Sequence, residues 1–324
     1  MVHNETKLCR ICSNGKNNKI FLIPETMFGT GQQFTYFQCS ECGCLQISEF
    51  PKDLSSYYRS DYYSFNLSSK YFKNPVERIA RKFRDRYAVF NRGLLGKLLY
   101  RYLPNESFRS LSRVKLSEST RILDVGCGTG FLLYSLKEIG FKQLLGIDPY
   151  LDETIEYENG LTILKESIQS IGSEWDIIMF HHSFEHLHNP LETLQSVAKL
   201  LCKSGICLIR IPTVSSYAWE RYGINWVQLD APRHFFLHSL ESMKILAAKA
   251  DLDIYDMYYD STDFQFWGSE QNQNGVHQIS EASYRVKPSG SSFSKSEIRK
   301  FRKRAEKLNL ENQGDQIAMY LGKQ

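Results

Sequence analysis

The chain has 324 residues, 42% hydrophobic and 23% charged, with a formal net charge of +4, which is ordinary for a soluble globular protein with room for one large domain and an appendage. So mild a positive charge does not by itself point to nucleic acid, and no run of 18 apolar residues offers a membrane span. Residues 1–7 are polar and lack a signal-peptide core, so a cytoplasmic location is expected, and eight cysteines in such a chain speak for metal ligands or free thiols rather than disulfides.

The first element is Cys9-Arg10-Ile11-Cys12, answered by Cys39-Ser40-Glu41-Cys42. Two such knuckles supply four thiolates at the spacing of tetrahedral zinc, and Gly43 suits the tight turn that aims backbone amides at sulfur. Cys44 is a further thiol that can replace Cys42 as a ligand or simply pack. With Phe21, Ile23 and residues 34–37 as short strands, residues 1–50 read as a zinc ribbon. A closed four-cysteine site has no open coordination position, so its role is structural.

Residues 51–118 read as an aromatic linker followed by a basic helical region. Tyr57, Tyr58, Tyr62, Tyr63, Phe65, Tyr71 and Phe72 can line a sugar or nucleotide pocket or pack the ribbon onto the main domain, packing being the commoner use. From Asn74-Pro75 one long amphipathic helix is expected, with Ile79, Phe83, Tyr87, Phe90, Leu94 and Leu98 on a single stripe. Its basic face, including Arg78, Arg81, Lys82, Arg84, Arg86, Arg92, Lys97 and Arg101, can attract phosphates of a nucleotide sugar, lipid diphosphate or RNA, or touch a membrane peripherally. Most such stripes are merely solvated.

Residues 119–324 carry the chemistry. The apolar run from Ile122 to Val125 ends in Gly126, Gly128 and Gly130, and a helical period follows at Leu132, Leu133, Leu136 and Ile139. A second apolar run ends in Asp148, about 20 residues beyond the glycines, where a carboxylate can accept from both ribose hydroxyls of an adenosine. Phe131 stands where a dinucleotide fingerprint needs its third glycine, and no Gly-Lys-Ser/Thr follows, so a P-loop is out. The spacing Asp124-x-Gly126-x-Gly128-x-Gly130 with Asp148 resembles that of class I S-adenosylmethionine-dependent methyltransferases. The resemblance implies S-adenosylmethionine as cofactor, held by Asp124, Gly126, Cys127, Gly128, Gly130, Asp148, Pro149 and His181. After the third strand many relatives place an acid on the adenine amino group; here only Glu166 or Ser167 is offered.

Strands are expected at 121–125, 143–147, 161–164, 176–180, 206–211, 253–260 and 316–321, with helices after the earlier ones. The fold class is therefore α/β, a doubly wound, seven-stranded, mostly parallel sheet whose ligands lie at the carboxyl ends of the strands; the resemblance makes the last strand antiparallel. The segment His181-His182-Ser183-Phe184-Glu185-His186-Leu187-His188-Asn189-Pro190 resembles the Glu-His segment after strand four in small-molecule methyltransferases of the ubiquinone-methylase type. A histidine here, His182 or His186, can take a proton from an acceptor hydroxyl; alternatively Glu185 and His186 fix the loop.

Residues 212–238 form an expected acceptor lid with Tyr217, Trp219, Tyr222 and Trp226. Its Asp230-x-Pro232-Arg233-His234 resembles a group of bacterial methyltransferases associated with surface-polysaccharide and sugar modification, and the ribbon resembles the one preceding the methylase domain of deoxysugar methyltransferases. Arg233 can bind an acceptor phosphate or carboxylate, or pin the lid through Asp230; His234 is a further base candidate. A helix is expected at 239–250. The Ser-, Gln-, Asn- and Gly-rich residues 268–295 suggest a loop within a flap at 265–310, and a basic helix follows at 296–308. The function expected is methyl transfer to a hydroxyl of a sugar, nucleotide-activated or glycan-linked. The alternatives are carbon methylation of a keto-deoxysugar, or ribosomal RNA methylation with the ribbon gripping RNA. Against RNA, an Asn-Pro-Pro-Tyr base clamp is missing and the basic residues are confined to two helices. No acidic cluster of metal ligands stands out near the acceptor face, which disfavours a magnesium-dependent mechanism.

Overall fold

The computed structural model describes residues 7–58 and 74–323. Tyr62, Tyr63, Phe65, Tyr71 and Phe72 of the aromatic run lie outside the described residues. In chain order come β1 (Lys19–Pro24), β2 (Gln33–Gln38) and β3 (Leu45–Ile47), then α1 (Pro75–Phe90), α2 (Leu94–Tyr102) and α3 (Glu106–Leu111). Alternation begins with β4 (Ile122–Val125), α4 (Phe131–Glu138), β5 (Leu144–Ile147), β6 (Ile155–Glu156), β7 (Thr162–Leu164) and β8 (Trp175–His181). It continues with α5 (Pro190–Leu200), β9 (Leu201–Pro212), α6 (Tyr217–Tyr222), β10 (Phe236–Leu237) and α7 (Leu240–Lys249). The chain closes with β11 (Leu252–Tyr259), α8 (Phe264–Gln273), α9 (Lys295–Leu310) and β12 (Gln316–Lys323).

The larger sheet runs β11-β12-β9-β8-β4-β5-β7-β6. β4 pairs in parallel with both β5 and β8, and β5 with β7; the two-residue β6 is an antiparallel edge that the sequence does not announce. This is the doubly wound α/β order, with the chain reversing direction across the sheet on either side of β4. Among the described residues no helix is long and apolar enough to cross a membrane.

Contacts divide the chain into two units. One takes in Met1–Tyr57, Glu185–Leu191 and Arg210–Met319. Its antiparallel β1–β2 hairpin is registered from Lys19 opposite Gln38 to Pro24 opposite Gln33. The connecting loop is folded around Glu25, whose buried carboxylate accepts N–H bonds from Met27 and Phe28 at 2.8 Å and from Thr30 at 3.0 Å. β3 pairs with β2 on one side and β10 on the other, so the strands of the expected ribbon share a four-stranded sheet with Phe236 and Leu237. The aromatics of residues 212–238 are core: Trp226 is buried with its Nε1–H donating to Asp315 at 2.9 Å, and Trp219 meets Phe21 edge-on at 5.3 Å. The polar segment from 268 does not begin as a loop, because α8 runs to Gln273 and buries Phe266, Trp267, Ser269 and Gln271. Its buried polar groups bond locally, Ser269 Oγ to the Gln265 carbonyl at 2.7 Å and Gln271 Nε2 to Ser283 Oγ at 3.0 Å.

The other unit takes in Tyr58–Phe184, Glu192–Ile209 and Tyr320–Gln324. The single long helix expected from Asn74 is two helices. Asn91 turns left-handed at φ 53° and Gly93 at φ 100°, ending α1 and starting α2. The two then cross closely at Gly96, where a Cβ would stand 2.3 Å from the Phe83 carbonyl oxygen. The break redistributes the expected stripe: Ile79, Phe83, Leu94 and Leu98 are exposed, while Asp85, Ala88 and Val89 are buried. Much of the basic face is paired. Arg78 grips Glu138 at 2.5 and 2.7 Å, Lys82 reaches the same carboxylate at 3.0 Å, and Arg84 meets Asp85 at 2.7 Å.

Candidate functional site

The second unit holds the glycine turn. Gly126 and Gly130 both have φ above 70°, and a Cβ would lie 2.5 Å from the Ser183 Cβ in the first case and 2.3 Å from Ile163 Cδ1 in the second. Both positions are closed to any side chain by backbone conformation and by packing. Asp148 spans the turn: its Oδ2 accepts from the Gly128 N–H and its Oδ1 from the Tyr150 N–H, each at 2.9 Å. Each oxygen keeps a lone pair for a ligand hydroxyl. Asp124 is 3% exposed, and its Oδ1 has no hydrogen-bond partner among the described residues. Burial, and then the nearby charge of Asp148, push its carboxyl up to about 8. Burial raises Asp148 as well. Two buried carboxyls beside a glycine turn, one with an unsatisfied oxygen, fit a ligand that carries both hydroxyls and a positive charge, and fit a phosphate poorly.

Other expected cofactor residues sit around this turn. Cys127 is half-buried with its thiol pushed far up by burial. Pro149 is exposed beside Asp148, and Glu166 is exposed with its carboxylate accepting from Ser170 Oγ at 2.7 Å. Ser167, also exposed, precedes a short 3-10 turn at Ile168–Ser170. His181 ends β8 half-buried, and His182 follows in a left-handed conformation at φ 54°. The next residue, Ser183, ties the loop back by donating to the Val125 carbonyl at 2.6 Å.

The first unit gathers a separate set of ionisable side chains. Glu185, His186 and His234 each bring a ligand-type atom within 4.8 Å of the others. Glu185 is fully buried, His234 nearly so, and His186 half-buried. The His186 Nδ1 lies 2.8 Å from the Arg233 carbonyl and the His234 Nδ1 2.8 Å from the Gln228 carbonyl. A carbonyl only accepts, so each ring carries a proton on Nδ1, and in a neutral ring the lone pair is then at Nε2. The rings meet edge-to-face at 4.7 Å. Burial and then His234 hold His186 down to about 4, so it is neutral at physiological pH. The His234 Nε2 stands 3.8 Å from Glu185 Oε1 and 3.7 Å from Asp230 Oδ2.

Arg233 is fully buried, and its guanidinium is engaged by both oxygens of Asp230, by the Tyr57 carbonyl at 2.9 Å and by the Phe28 ring 5.3 Å below. Burial alone would raise Asp230, but the Arg233 charge and its hydrogen bonds hold it far below the usual carboxylate range. This pair fixes the turn that carries His234. Tyr36 adds a second hold, donating from its hydroxyl to the His234 carbonyl at 2.9 Å. The Asp230–Arg233 pair is the pin that the motif offered as an alternative to acceptor binding. Tyr36 is the member of the site that sequence reasoning missed, since nothing in residues 34–37 marks a tyrosine 198 positions away as the support of a histidine.

The four expected metal ligands, Cys9, Cys12, Cys39 and Cys42, converge with all sulfurs within 4.8 Å. The pairs Cys9–Cys42 and Cys12–Cys39 are 3.5 and 3.4 Å apart, near the roughly 3.8 Å of a tetrahedral zinc–thiolate site. Gly43, at φ 70°, donates its N–H to the Cys39 carbonyl in the expected knuckle turn. Cys44 is outside the cluster, buried with its sulfur 3.9 Å from His238 Nδ1.

Comparison with known proteins gives the family. The ubiquinone biosynthesis O-methyltransferase of Cereibacter sphaeroides is 29% identical over 138 residues, 39% of this chain and 55% of that protein. The tRNA U34 carboxymethyltransferase of Campylobacter jejuni is 21% identical over 146 residues, 42% of this chain and 50% of that protein. The chain thus spans about half the length of the curated relatives it matches. Among solved structures, an S-adenosylmethionine-dependent methyltransferase from Archaeoglobus fulgidus aligns with a TM-score of 0.40 and 19% identity, covering 77% of this chain and 100% of that one. The methyltransferase-domain family matches residues 91–256, just over half of the sequence, and the chain belongs to that family.

Proposed function

We propose that this protein transfers the methyl group of S-adenosylmethionine to an oxygen of a small molecule, a hydroxyl of a nucleotide-activated or glycan-linked sugar. The observation that carries the reading is the buried acid pair Asp124 and Asp148 on the glycine turn, with one Asp124 oxygen unsatisfied among the described residues. Asp148 would hold the ribose hydroxyls, and Asp124 would face the positive charge of the methionine part. Once bound, the cofactor supplies an electrophilic methyl carbon.

The chain's own task is then to align the acceptor and take its proton. His234 is suited to the second task. Its Nδ1–H is fixed on the Gln228 carbonyl, its Nε2 is the proton acceptor, and the carboxylates of Glu185 and Asp230 stabilise the imidazolium that forms. His186 is the second candidate, and His182 the third. Arg233 serves by holding Asp230 and the turn. The sugar class rests on the resemblance of Asp230-x-Pro232-Arg233-His234 and of the ribbon. The ribbon's four cysteines would hold a structural zinc ion. RNA as acceptor is disfavoured by the acids that already occupy Arg78, Lys82 and Arg84.

The test is turnover of methyl-labelled S-adenosylmethionine with nucleotide-sugar pools and, separately, with stripped ribosomal RNA, each followed by mass spectrometry. Label on a sugar oxygen is expected. Label on a sugar carbon would move the reading to a keto-sugar acceptor, and label in RNA alone would overturn it.

A further inference from the structure

The same cluster has the composition and geometry of a metal site. We propose that Glu185, His186 and His234 form a binding site for a divalent transition-metal ion, separate from the cysteine cluster, and that an ion bound there blocks proton removal from the acceptor. The donor set is two imidazole nitrogens and one carboxylate, with their ligand atoms all within 4.8 Å of one another. This is the composition that recurs in three-ligand metal centres with open positions.

Three features support binding beyond mere proximity. Both rings already carry the outer contact that a ligating histidine needs, with Nδ1–H held by the carbonyls of Arg233 and Gln228 at 2.8 Å. That contact leaves Nε2 as the ligand atom of each neutral ring, and the His234 Nε2 faces the Glu185 carboxylate. The turn beneath His234 is braced by the Asp230–Arg233 pair and by the Tyr36 hydroxyl, so the ligand positions are preorganised. And the separation between His234 Nε2 and Glu185 Oε1, 3.8 Å, exceeds the roughly 3.3 Å of a tetrahedral site by about half an ångström, which side-chain rotation can close.

The ligand class follows from the donors. Imidazole nitrogen suits Zn2+, Co2+, Ni2+ and Cu2+, whereas Mg2+ and Ca2+ prefer sites built wholly of oxygen. The functional consequence rests on the methyl-transfer reading. The two Nε2 lone pairs that would receive the acceptor's proton are the same ones an ion would occupy, so proton removal and metal binding exclude each other.

The experiment uses the full chain with its cysteine site loaded with Zn2+, then titrated with Co2+ in the absence of S-adenosylmethionine. Expected is one tight equivalent of Co2+ per chain beyond the zinc, with visible ligand-field bands and no thiolate charge-transfer absorption. His234→Gln and His186→Gln each lose that equivalent, and Glu185→Gln weakens its binding at least tenfold. In the unsubstituted protein, turnover on whichever acceptor the methylation assay identifies falls in proportion to Co2+ occupancy. Absence of a second equivalent in the unsubstituted protein, or thiolate absorption accompanying it, overturns the site whatever the variants do. A second equivalent bound with turnover unchanged overturns the blocking role alone. Because uptake is read without cofactor or acceptor, a protein that binds Co2+ but methylates no sugar refutes only the methylation reading.

Discussion

The fold disfavours the ionised form of Asp124, and this has a measurable consequence. Its carboxyl, raised to about 8 by burial and by Asp148, binds its proton more tightly folded than unfolded, where about 3.9 is ordinary. Stability from this group is therefore present at low pH and is lost as pH rises from about 4 to about 8, and Asp148, also raised, adds to the same slope. A cationic ligand favours the ionised form, so binding S-adenosylmethionine near pH 7 should release a proton. Calorimetry in buffers of different ionisation enthalpy measures that release; Asp124→Asn should abolish it and weaken binding about tenfold or more, the cost of removing one charged contact. Proton release unchanged in Asp124→Asn would remove Asp124 from the cofactor site. The acceptor side gives a second prediction at this scale. His234→Gln should lower kcat about 10²- to 10⁴-fold, the range of a lost general base, and leave the affinity for S-adenosylmethionine unchanged. If His186→Gln shows the larger loss, the proton is taken at His186. The glycine turn was legible in sequence because a tight, closely packed turn tolerates few residue types. The place of Tyr36 was not, because it depends on which backbone carbonyl a distant side chain meets.

At the scale of elements, the Asp230–Arg233 pair is the pin of the segment that carries His234. Lysine at 233 keeps the charge but cannot engage both Asp230 oxygens and the Tyr57 carbonyl together. Arg233→Lys should therefore destabilise the first unit by about 3 kcal/mol, the cost of disrupting a buried pair, and lower kcat through a mobile His234. A thermal melt and a kinetic comparison with Arg233→Met separate the two effects, and a variant as stable and active as the parent would show that the pin is dispensable. The strand positions 121–125, 143–147 and 161–164 needed only trimming by a residue, since buried parallel strands are short apolar runs with sharp ends. Helices were harder to read. The periodicity from Asn74 to Leu98 continues across Asn91 and Gly93, and only the left-handed backbone at those residues reveals the break. The helix Phe264–Gln273 was hidden for the opposite reason: its Gln, Ser and Asn residues read as loop, yet Ser269 bonds the Gln265 carbonyl and Gln271 bonds Ser283, while Phe266 and Trp267 supply the burial.

At the scale of the molecule, the cysteine-bearing segment, the expected ribbon, is built into the unit that carries the proposed base. β3 pairs with β10, the Ser239 hydroxyl bonds the Cys42 carbonyl at the start of α7, Lys249 Nζ reaches the Ile11 carbonyl at 2.7 Å, and the Tyr36 hydroxyl holds the His234 carbonyl. A small sheet with few residues would gain much of its stability from the zinc proposed for its four cysteines, because a metal's binding energy is also folding energy. Removing zinc with a strong chelator, or substituting Cys39→Ser, should therefore release the β2–β3 edge and with it the supports of residues 234–239. The glycine turn, Asp124 and Asp148 belong to the other unit. The expected outcome is a split: turnover falls by at least tenfold and the melting temperature drops, while S-adenosylmethionine binding, measured by calorimetry, is retained. Restoring Zn2+ to the chelated protein should recover turnover, whereas the Cys39→Ser protein should not respond. If turnover survives complete zinc removal, the ribbon does not support His234. If cofactor binding is lost together with turnover, zinc sustains the whole fold, and no separate effect on the acceptor side remains to be explained.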